Sequence, residues 1–390
     1  MQNFNYYNPV NVIFGKDTIK EITNLIPLDS KILMTYGGGS IKRNGVYDQV
    51  IKALANHNVV EFEGIEPNPT YETCMKAVEV AKKENIDFLL SVGGGSVLDG
   101  TKFIAAAAKL ETENAWDTIM GVEGVAKFPV LKETLPIGCI ITLPATGSEM
   151  NCGSVITKKA TAEKIPFMSA LNFPKFSIID PETTFSLPKK QVINGIIDTY
   201  IHVIEQYVTY DVDTPLQDRQ SEAILRTLVE EADKILSDPP QYNARANFFW
   251  CATQALNGTI QSGVVQDWCV HMIGHELTAF YGMDHGASLA VVLPEMWRKM
   301  KSAKTQKLLQ YGSRVFDVNE SDEEKAVELI IARTEEFFKH IGFSTKLKNY
   351  GIDAKEAAEK VSARFAERKT VLGENMDVTP EVVKEILLNC

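Results

Sequence analysis

Residues 87–102 read DFLLSVGGGSVLDGTK, and the reading of this stretch decides the fold class. DFLLSV (87–92) is short and apolar and ends at glycine, which is the pattern of a buried strand. Gly93-Gly94-Gly95-Ser96 then breaks it before a helical stretch begins. Glycine lets the backbone turn sharply and lie close to a ligand, and a helix N-terminus offers unpaired N–H groups to a phosphate. A tight strand-to-helix turn without a ligand would use glycine in the same way. The device occurs twice, however: KILMTY (31–36) runs into Gly37-Gly38-Gly39-Ser40. Two such turns on successive strand–helix units favour a ligand.

Outward from these turns, NVIFG (11–15) and VVEF (59–62) read as further strands, with helical patterns in GVYDQVIKALANH and ETCMKAVEVAKKEN. Strand, helix, strand at this spacing implies crossover connections and a parallel sheet. IGCIITLP (137–144), GSVITK (153–158) and FSIIDP (176–181) add strands with less helix between them. After Leu187-Pro188 the strand pattern stops. Helices are expected at 189–209, 215–236, 242–260, 268–281, 304–316, 322–341, 353–369 and 379–389. The expected organisation is an α/β domain over 1–187 and an all-helical domain over 188–390, with a cleft between them where ligands usually sit.

Composition narrows the function. The chain has 390 residues, 45% apolar and 23% charged, as in ordinary globular proteins. Its net charge of −11 opposes nucleic acid and anionic membranes. No apolar run approaches the roughly 18 residues of a membrane-spanning helix. The N-terminal MQNFNYYNPV lacks the basic and apolar regions of a secretory signal. The six cysteines are scattered without a C-x-x-C pair, which suggests a reduced, cytoplasmic protein rather than a disulfide scaffold. Standard nucleotide fingerprints fail: Leu98 and Lys42 stand where G-x-G-x-x-G needs glycine, and Thr101-Lys102 inverts the end of a P-loop. A dinucleotide site of another style remains.

Four of the six histidines, His202, His271, His275 and His285, fall within residues 202–285. Asp198 and His202 are four apart, so a helix puts them on one face. His271 and His275 repeat that spacing, and His285 follows the turn Gly282-Met283-Asp284. A carboxylate with imidazoles suits Fe(II), Zn(II), Mn(II) or Ni(II). Spacing alone does not choose between His271 and His275. HMIGHE matches neither zinc-protease pattern, since Glu276 follows the second histidine.

Taken in order, GGGS, Glu66-Pro67-Asn68-Pro69, GGGSVLDGTK, TLPATGSE (142–149) and GHELTAFYGMDHG (274–286) resemble the iron-dependent (group III) alcohol dehydrogenases. The likeness is strongest to the butanol dehydrogenase and NADPH-dependent aldehyde reductase branch and spans nearly the whole chain. It implies a Rossmann-like parallel-sheet domain followed by an all-α metal domain, the plan shared with dehydroquinate synthase. The resemblance implies Asp198, His202, His271 and His285 as ligands of one divalent metal, Fe2+ or Zn2+. It puts His275 near the substrate, as a proton relay or as an orienting residue. Gly37, Gly38, Gly39, Ser40, Asn68, Gly94, Gly95, Ser96, Asp99, Thr142, Leu143, Thr146, Asn151 and Lys164 are implied to line the cofactor groove. Trp268, Phe280 and Tyr281 are implied as nearby aromatics.

NAD-selective members carry an aspartate in the first turn, where this chain has Gly39, Ser40, Lys42 and Arg43. Space, a hydroxyl and positive charge favour NADP(H) over NAD(H). The expected reaction is hydride transfer between the nicotinamide and small to medium aliphatic aldehydes or primary alcohols such as butanal and butanol. The alternative is an NAD-linked glycerol dehydrogenase of the same superfamily. A synthase acting on a phosphorylated acid would want basic residues near the histidines, and a metal hydrolase or a regulatory nucleotide-binding protein are the readings from other classes. A homodimer is expected, without nucleic-acid or membrane partners.

Overall fold

The computed structural model describes residues 1–112, 114–122 and 124–390. Its first half holds β1 (Asn11–Phe14), β2 (Lys31–Tyr36), α1 (Ser40–Arg43), α2 (Val46–Ala53), β3 (Asn58–Glu63) and α3 (Tyr71–Lys83). β4 (Phe88–Gly93), α4 (Gly95–Ala107), α5 (Ala115–Met120), β5 (Ile137–Ile141), β6 (Gly153–Lys158), β7 (Glu163–Met168) and β8 (Phe176–Ile179) follow. Six of these strands form a parallel sheet in the order β1-β8-β5-β4-β2-β3. The chain passes from β2 out to the edge strand β3, then returns to β4 on the other side of β2. Its direction of progress therefore reverses between β2 and β4. In open parallel sheets ligands bind beyond the carboxyl ends of the strands at such a reversal. Gly37–Ser40 and Gly93–Ser96 follow those two carboxyl ends.

The inner strands β2, β4, β5 and β8 are buried on both faces because both faces are covered, whereas the edge strands β1 and β3 are partly exposed. In β2, Ile32, Met34 and Tyr36 join one core with Val50, Leu90 and Ile140, while Leu33 joins another with Leu89, Ile104 and Cys139. Each such side chain buried contributes about 1.5–3 kcal/mol relative to exposure.

β6 and β7 stand apart as an antiparallel hairpin. β7 was not expected from EKIPFM, because Pro166 interrupts the ladder and reads against a strand; a two-stranded ribbon tolerates it at an edge. IGCIITLP keeps strand geometry only to Ile141, and its remainder forms a loop. The first glycine turn leads into a single four-residue turn of helix rather than a long one, with Gly45 opening α2.

The second half is helical: α6 (Lys189–Tyr207), α7 (Pro215–Ile235), α8 (Tyr242–Ala255), α9 (Cys269–Tyr281), α10 (His285–Val315), α11 (Glu323–Ile341), α12 (Ala354–Glu367) and α13 (Pro380–Asn389). α8 ends earlier than expected. α10 starts 19 residues before the expected 304, and its regular geometry breaks at Met300. Pro294 inside HGASLAVVLPEMW argues locally against a helix, but residues 286–297 are buried throughout and tertiary packing overrides that preference. No helix among the described residues is long and apolar enough to cross a membrane.

Contacts divide the chain into two compact units. One is Tyr7–Pro188 with Arg245–Thr253; the other is Met1–Tyr6, Lys189–Ala244 and Gln254–Cys390. Relative to a division after residue 187, two segments change sides. Phe249 of α8 buries itself with Ile141 and Ile179, and Gln2 donates its backbone N–H to Gly263 at 2.9 Å.

Candidate metal centre and cofactor turns

α6 carries Asp198 and His202 one turn apart, and Glu205 another turn along the same face. Asp198 Oδ1 lies 3.6 Å from His202 Nε2, 3.5 Å from His271 Nε2 and 3.4 Å from His285 Nε2. One carboxylate oxygen thus faces three imidazole nitrogens, contributed by α6, α9 and the first residue of α10. His202 and His271 stack, with ring centroids 4.6 Å apart. The start of α10 reaches α6 because residue 286 is glycine: a Cβ there would lie 2.9 Å from the Asn194 carbonyl oxygen.

These atoms are poorly served by one another. Asp198 Oδ1 and His271 Nε2 are buried and accept or donate no hydrogen bond. Such groups cost free energy unless something compensates them. Burial disfavours the Asp198 anion, yet the surrounding imidazoles hold its carboxyl well below the usual range. Asp198, His202 and His271 each offer a ligand atom within 4.8 Å of the others. One carboxylate oxygen preassembled among three imidazole nitrogens fits a divalent cation.

His271 is oriented by Glu205, whose carboxylate accepts from its Nδ1 and from the backbone N–H groups of Val270 and His271. That leaves Nε2 to face Asp198. Burial lowers the His271 basicity, but Glu205 and Asp198 outweigh it and push the ring up to about 9. Sequence reasoning passed over Glu205, although its i+7 spacing from Asp198 was the available clue. His275 sits farther round, its ring 5.4 Å from His285 and 6.3 Å from His271 between centroids. Among the described residues the close group is Asp198, His202 and His271; His285 joins it through its 3.4 Å approach to Asp198 Oδ1, and His275 through its neighbouring rings. Trp268 packs edge-on against His271 and His202. Phe280 instead lies 3.9 Å beneath the Arg364 guanidinium, and Tyr281 reaches Lys360.

In the α/β unit, the second glycine turn meets the loop after β5. A Cβ on Gly95 would stand 2.3 Å from Thr146 Oγ1, and one on Gly94 would stand 3.3 Å from Leu143 Cβ. Thr142 donates its N–H to Gly93, and Asn68 donates to Ser96 Oγ. Gly94, Gly95, Ser96, Asn68, Thr142, Leu143 and Thr146 therefore converge. Asp99 is buried, and its oxygens accept from Ser148 Oγ and the Val155 N–H. It ties α4 to the loop and to β6. Lys164 is buried on β7, and its charge favours the Asp99 anion.

Lys102 is the residue missed here. Its fully buried ammonium donates to the carbonyls of Ser148, Asn151 and Gly153, and to Ser148 Oγ and Asn151 Oδ1, at 2.7–3.1 Å. It staples the loop that carries Thr146 and Asn151. The Asp99–Lys102 spacing of three on one helix face was the only sequence clue. Gly37, Gly38, Gly39 and Ser40 form the turn after β2, but Lys42 beside them is not simply free positive charge. It makes an ion pair of 2.9 Å with Glu63.

The chain matches the family described as iron-containing alcohol dehydrogenase over residues 9–181, and the C-terminal Fe-containing alcohol dehydrogenase family over 192–389. It is 47% identical to the NADPH-dependent aldehyde reductase YqhD of Escherichia coli over 389 residues, covering 99% of each chain. It is 43% identical to NADP-dependent alcohol dehydrogenase 3 of Entamoeba histolytica over 368 residues, 94% of this chain and 93% of that one. The solved structure of NADH-dependent butanol dehydrogenase A from Thermotoga maritima superposes with a TM-score of 0.93 at 36% identity, covering 99% and 98% of the two chains.

Proposed function

The chain belongs to the iron-containing alcohol dehydrogenase family, and from that premise we propose a metal-dependent, NADP(H)-linked aldehyde reductase. It would interconvert small to medium aliphatic aldehydes and primary alcohols, such as butanal and butanol, by hydride transfer. The observation that carries this reading is the Asp198 oxygen ringed by three imidazole nitrogens at 3.4–3.6 Å. We assign Asp198, His202, His271 and His285 as ligands of one Fe2+ or Zn2+ ion.

When bound, the cation supplies Lewis acidity toward a substrate oxygen and the nicotinamide supplies or accepts the hydride. The protein's own part is placement. Asp198 would partly neutralise the cation, and the rings, binding through unprotonated nitrogens, would leave it electrophilic. Glu205 fixes the His271 ring so that Nε2 points inward. The two glycine turns hold the dinucleotide at the carboxyl ends of β2 and β4. His275, beside the ligand rings, would carry a proton to or from the solvent side of the reaction, a role imidazole side chains commonly fill.

NADP(H) is favoured by the room at Gly39, the hydroxyl of Ser40 and the basic Lys42 and Arg43, and by relatives named for NADPH or NADP. An NADH-dependent relative also exists, so the margin is expected to be moderate. No feature favours glycerol dehydrogenation. A homodimer in the reducing cytoplasm is proposed on resemblance, with all six cysteines free.

The test is anaerobic purification, metal analysis, and an aldehyde panel with NADPH and NADH side by side. About one metal ion per chain and butanal reduction faster with NADPH are expected. A metal-free preparation at full turnover ends the metal assignment; equal or better efficiency with NADH ends the cofactor assignment.

A further inference from the structure

In a doubly wound sheet the glycine turn after one strand is answered by an acid roughly 20 residues on, at the carboxyl end of the next strand. That acid accepts from a ribose hydroxyl, whereas a nearby cation accommodates a 2′-phosphate. Here both groups occupy one place. Glu63 is the last residue of β3 and pairs in register with Tyr36, the last residue of β2. Its Oε2 holds Lys42 Nζ at 2.9 Å. Its Oε1 stands 3.5 Å from where a Cβ on Gly39 would be.

The pair is held from beneath. Tyr36 is buried and donates its hydroxyl to Glu61 at 2.7 Å, and Tyr47 donates to the other Glu61 oxygen at 2.8 Å. The Lys42 ammonium lies 5.0 Å from the Tyr36 ring centroid and 5.4 Å from that of Tyr47. Two aromatic faces and one carboxylate therefore fix the lysine beside the turn. A 2′-phosphate arriving at Gly39 meets the Glu63 charge and has to share Lys42 with it. A 2′-hydroxyl meets an acceptor instead.

We propose that Glu63 is a specificity-determining residue, a latch on Lys42 that narrows this chain's preference for a 2′-phosphorylated dinucleotide. The inference deepens the cofactor reading above and rests on the turn 37–40 receiving the adenosine ribose. Glu63→Gln releases Lys42 and favours the phosphate; Lys42→Met removes one of the phosphate's two cations, leaving Arg43 Nη1 3.9 Å from the same Cβ position, and favours the hydroxyl. The two substitutions thus move discrimination in opposite directions, which simple loosening of the turn does not.

The test is calorimetric titration of the full chain with adenosine 2′,5′-bisphosphate and with adenosine 5′-monophosphate. In Glu63→Gln the ratio of the two affinities should shift toward the bisphosphate by about tenfold at low salt, and Lys42→Met should shift it about as far the other way. Both shifts should shrink toward about twofold in roughly 0.5 M KCl, because Lys42 and Glu63 are 41% and 49% exposed and salt screens such charges. A ratio unchanged within twofold in Glu63→Gln at low salt overturns the latch. Gly38→Trp separates this from failure of the underlying reading, since nothing lies within 4 Å of a Cβ there and the fold has room. If Gly38→Trp leaves both affinities intact, the adenosine does not bind at this turn, and both readings fall.

Discussion

Glu205 and His271 share a buried hydrogen bond from imidazole Nδ1 to carboxylate, while Nε2 of the same ring faces Asp198 Oδ1 at 3.5 Å. Because Glu205 also accepts from the Val270 and His271 backbone N–H groups, it fixes both the ring and the start of α9. Glu205→Gln should lower affinity for Zn2+ or Co2+ by about 10–100-fold, the usual effect of removing such a partner. Competition titration of the apoprotein against a chromogenic chelator reads this. Unaltered affinity would mean that the bond only steadies the helix.

His202→Ala and His271→Ala each remove one of four assigned ligands. Metal content should fall from about one ion per chain to a small fraction after dialysis, measured by plasma emission. His275→Phe should keep its metal but lose most of its activity and alter the pH–rate profile. Full activity with an unchanged profile in that variant excludes the relay.

Lys102→Met should destabilise the α/β unit by about 3 kcal/mol or more, as expected when one partner of a buried charge network is removed. Burial lowers the lysine's pKa, but Asp99 and the loop carbonyls keep a cation useful there. Lys102→Arg should not restore stability, since a planar guanidinium does not fit a point-charge site. Urea unfolding followed by tryptophan fluorescence gives the difference.

Gly95→Ala places a methyl carbon 3.0 Å from Thr146 Cβ, too close for a rotamer change to relieve. The loop has to shift, costing roughly 1–3 kcal/mol. KM for the dinucleotide should rise severalfold with little change in metal content. Steady-state kinetics beside metal analysis separates the two.

In the helical unit, Lys304 sits between Asp267 and Glu374 at 2.7 and 2.8 Å, all three side chains at most 4% exposed. Burial and the Asp267 charge together outweigh Lys304 and push Glu374 up to about 7 from an ordinary 4.5. A carboxyl raised in the folded state contributes stability in full below about 4.5 and loses it as pH rises through about 7. Thermal unfolding should therefore show a fall worth about 1–2 kcal/mol over that window. Glu374→Gln, which cannot ionise, should flatten this part of the profile; an identical pH dependence in the variant assigns the slope elsewhere.

Much of the molecule was legible in the chain because the deciding patterns are local. KILMTY and DFLLSV are short apolar runs ending in triple glycine, and both became the strands that flank the reversal of the sheet. Asp198 and His202 were legible because a helix fixes which residues share a face. β7 and the first half of α10 were not, since Pro166 and Pro294 argue locally against elements that packing imposes. His271 and His275 have the same spacing and residue type, so sequence periodicity could not rank them.

What the sequence determined by itself is thus the order of elements, the glycine turns and the supply of ligand-type residues, all of which depend on neighbours along the chain. Tertiary structure alone decided which histidine faces Asp198, that Glu205 orients it, that Lys102 staples the 146–153 loop, and that Lys42 is held by Glu63. Each of these is a contact between side chains brought together by packing. Charge and hydrogen bonding act over a few ångströms of space, and distance along the chain carries no record of that.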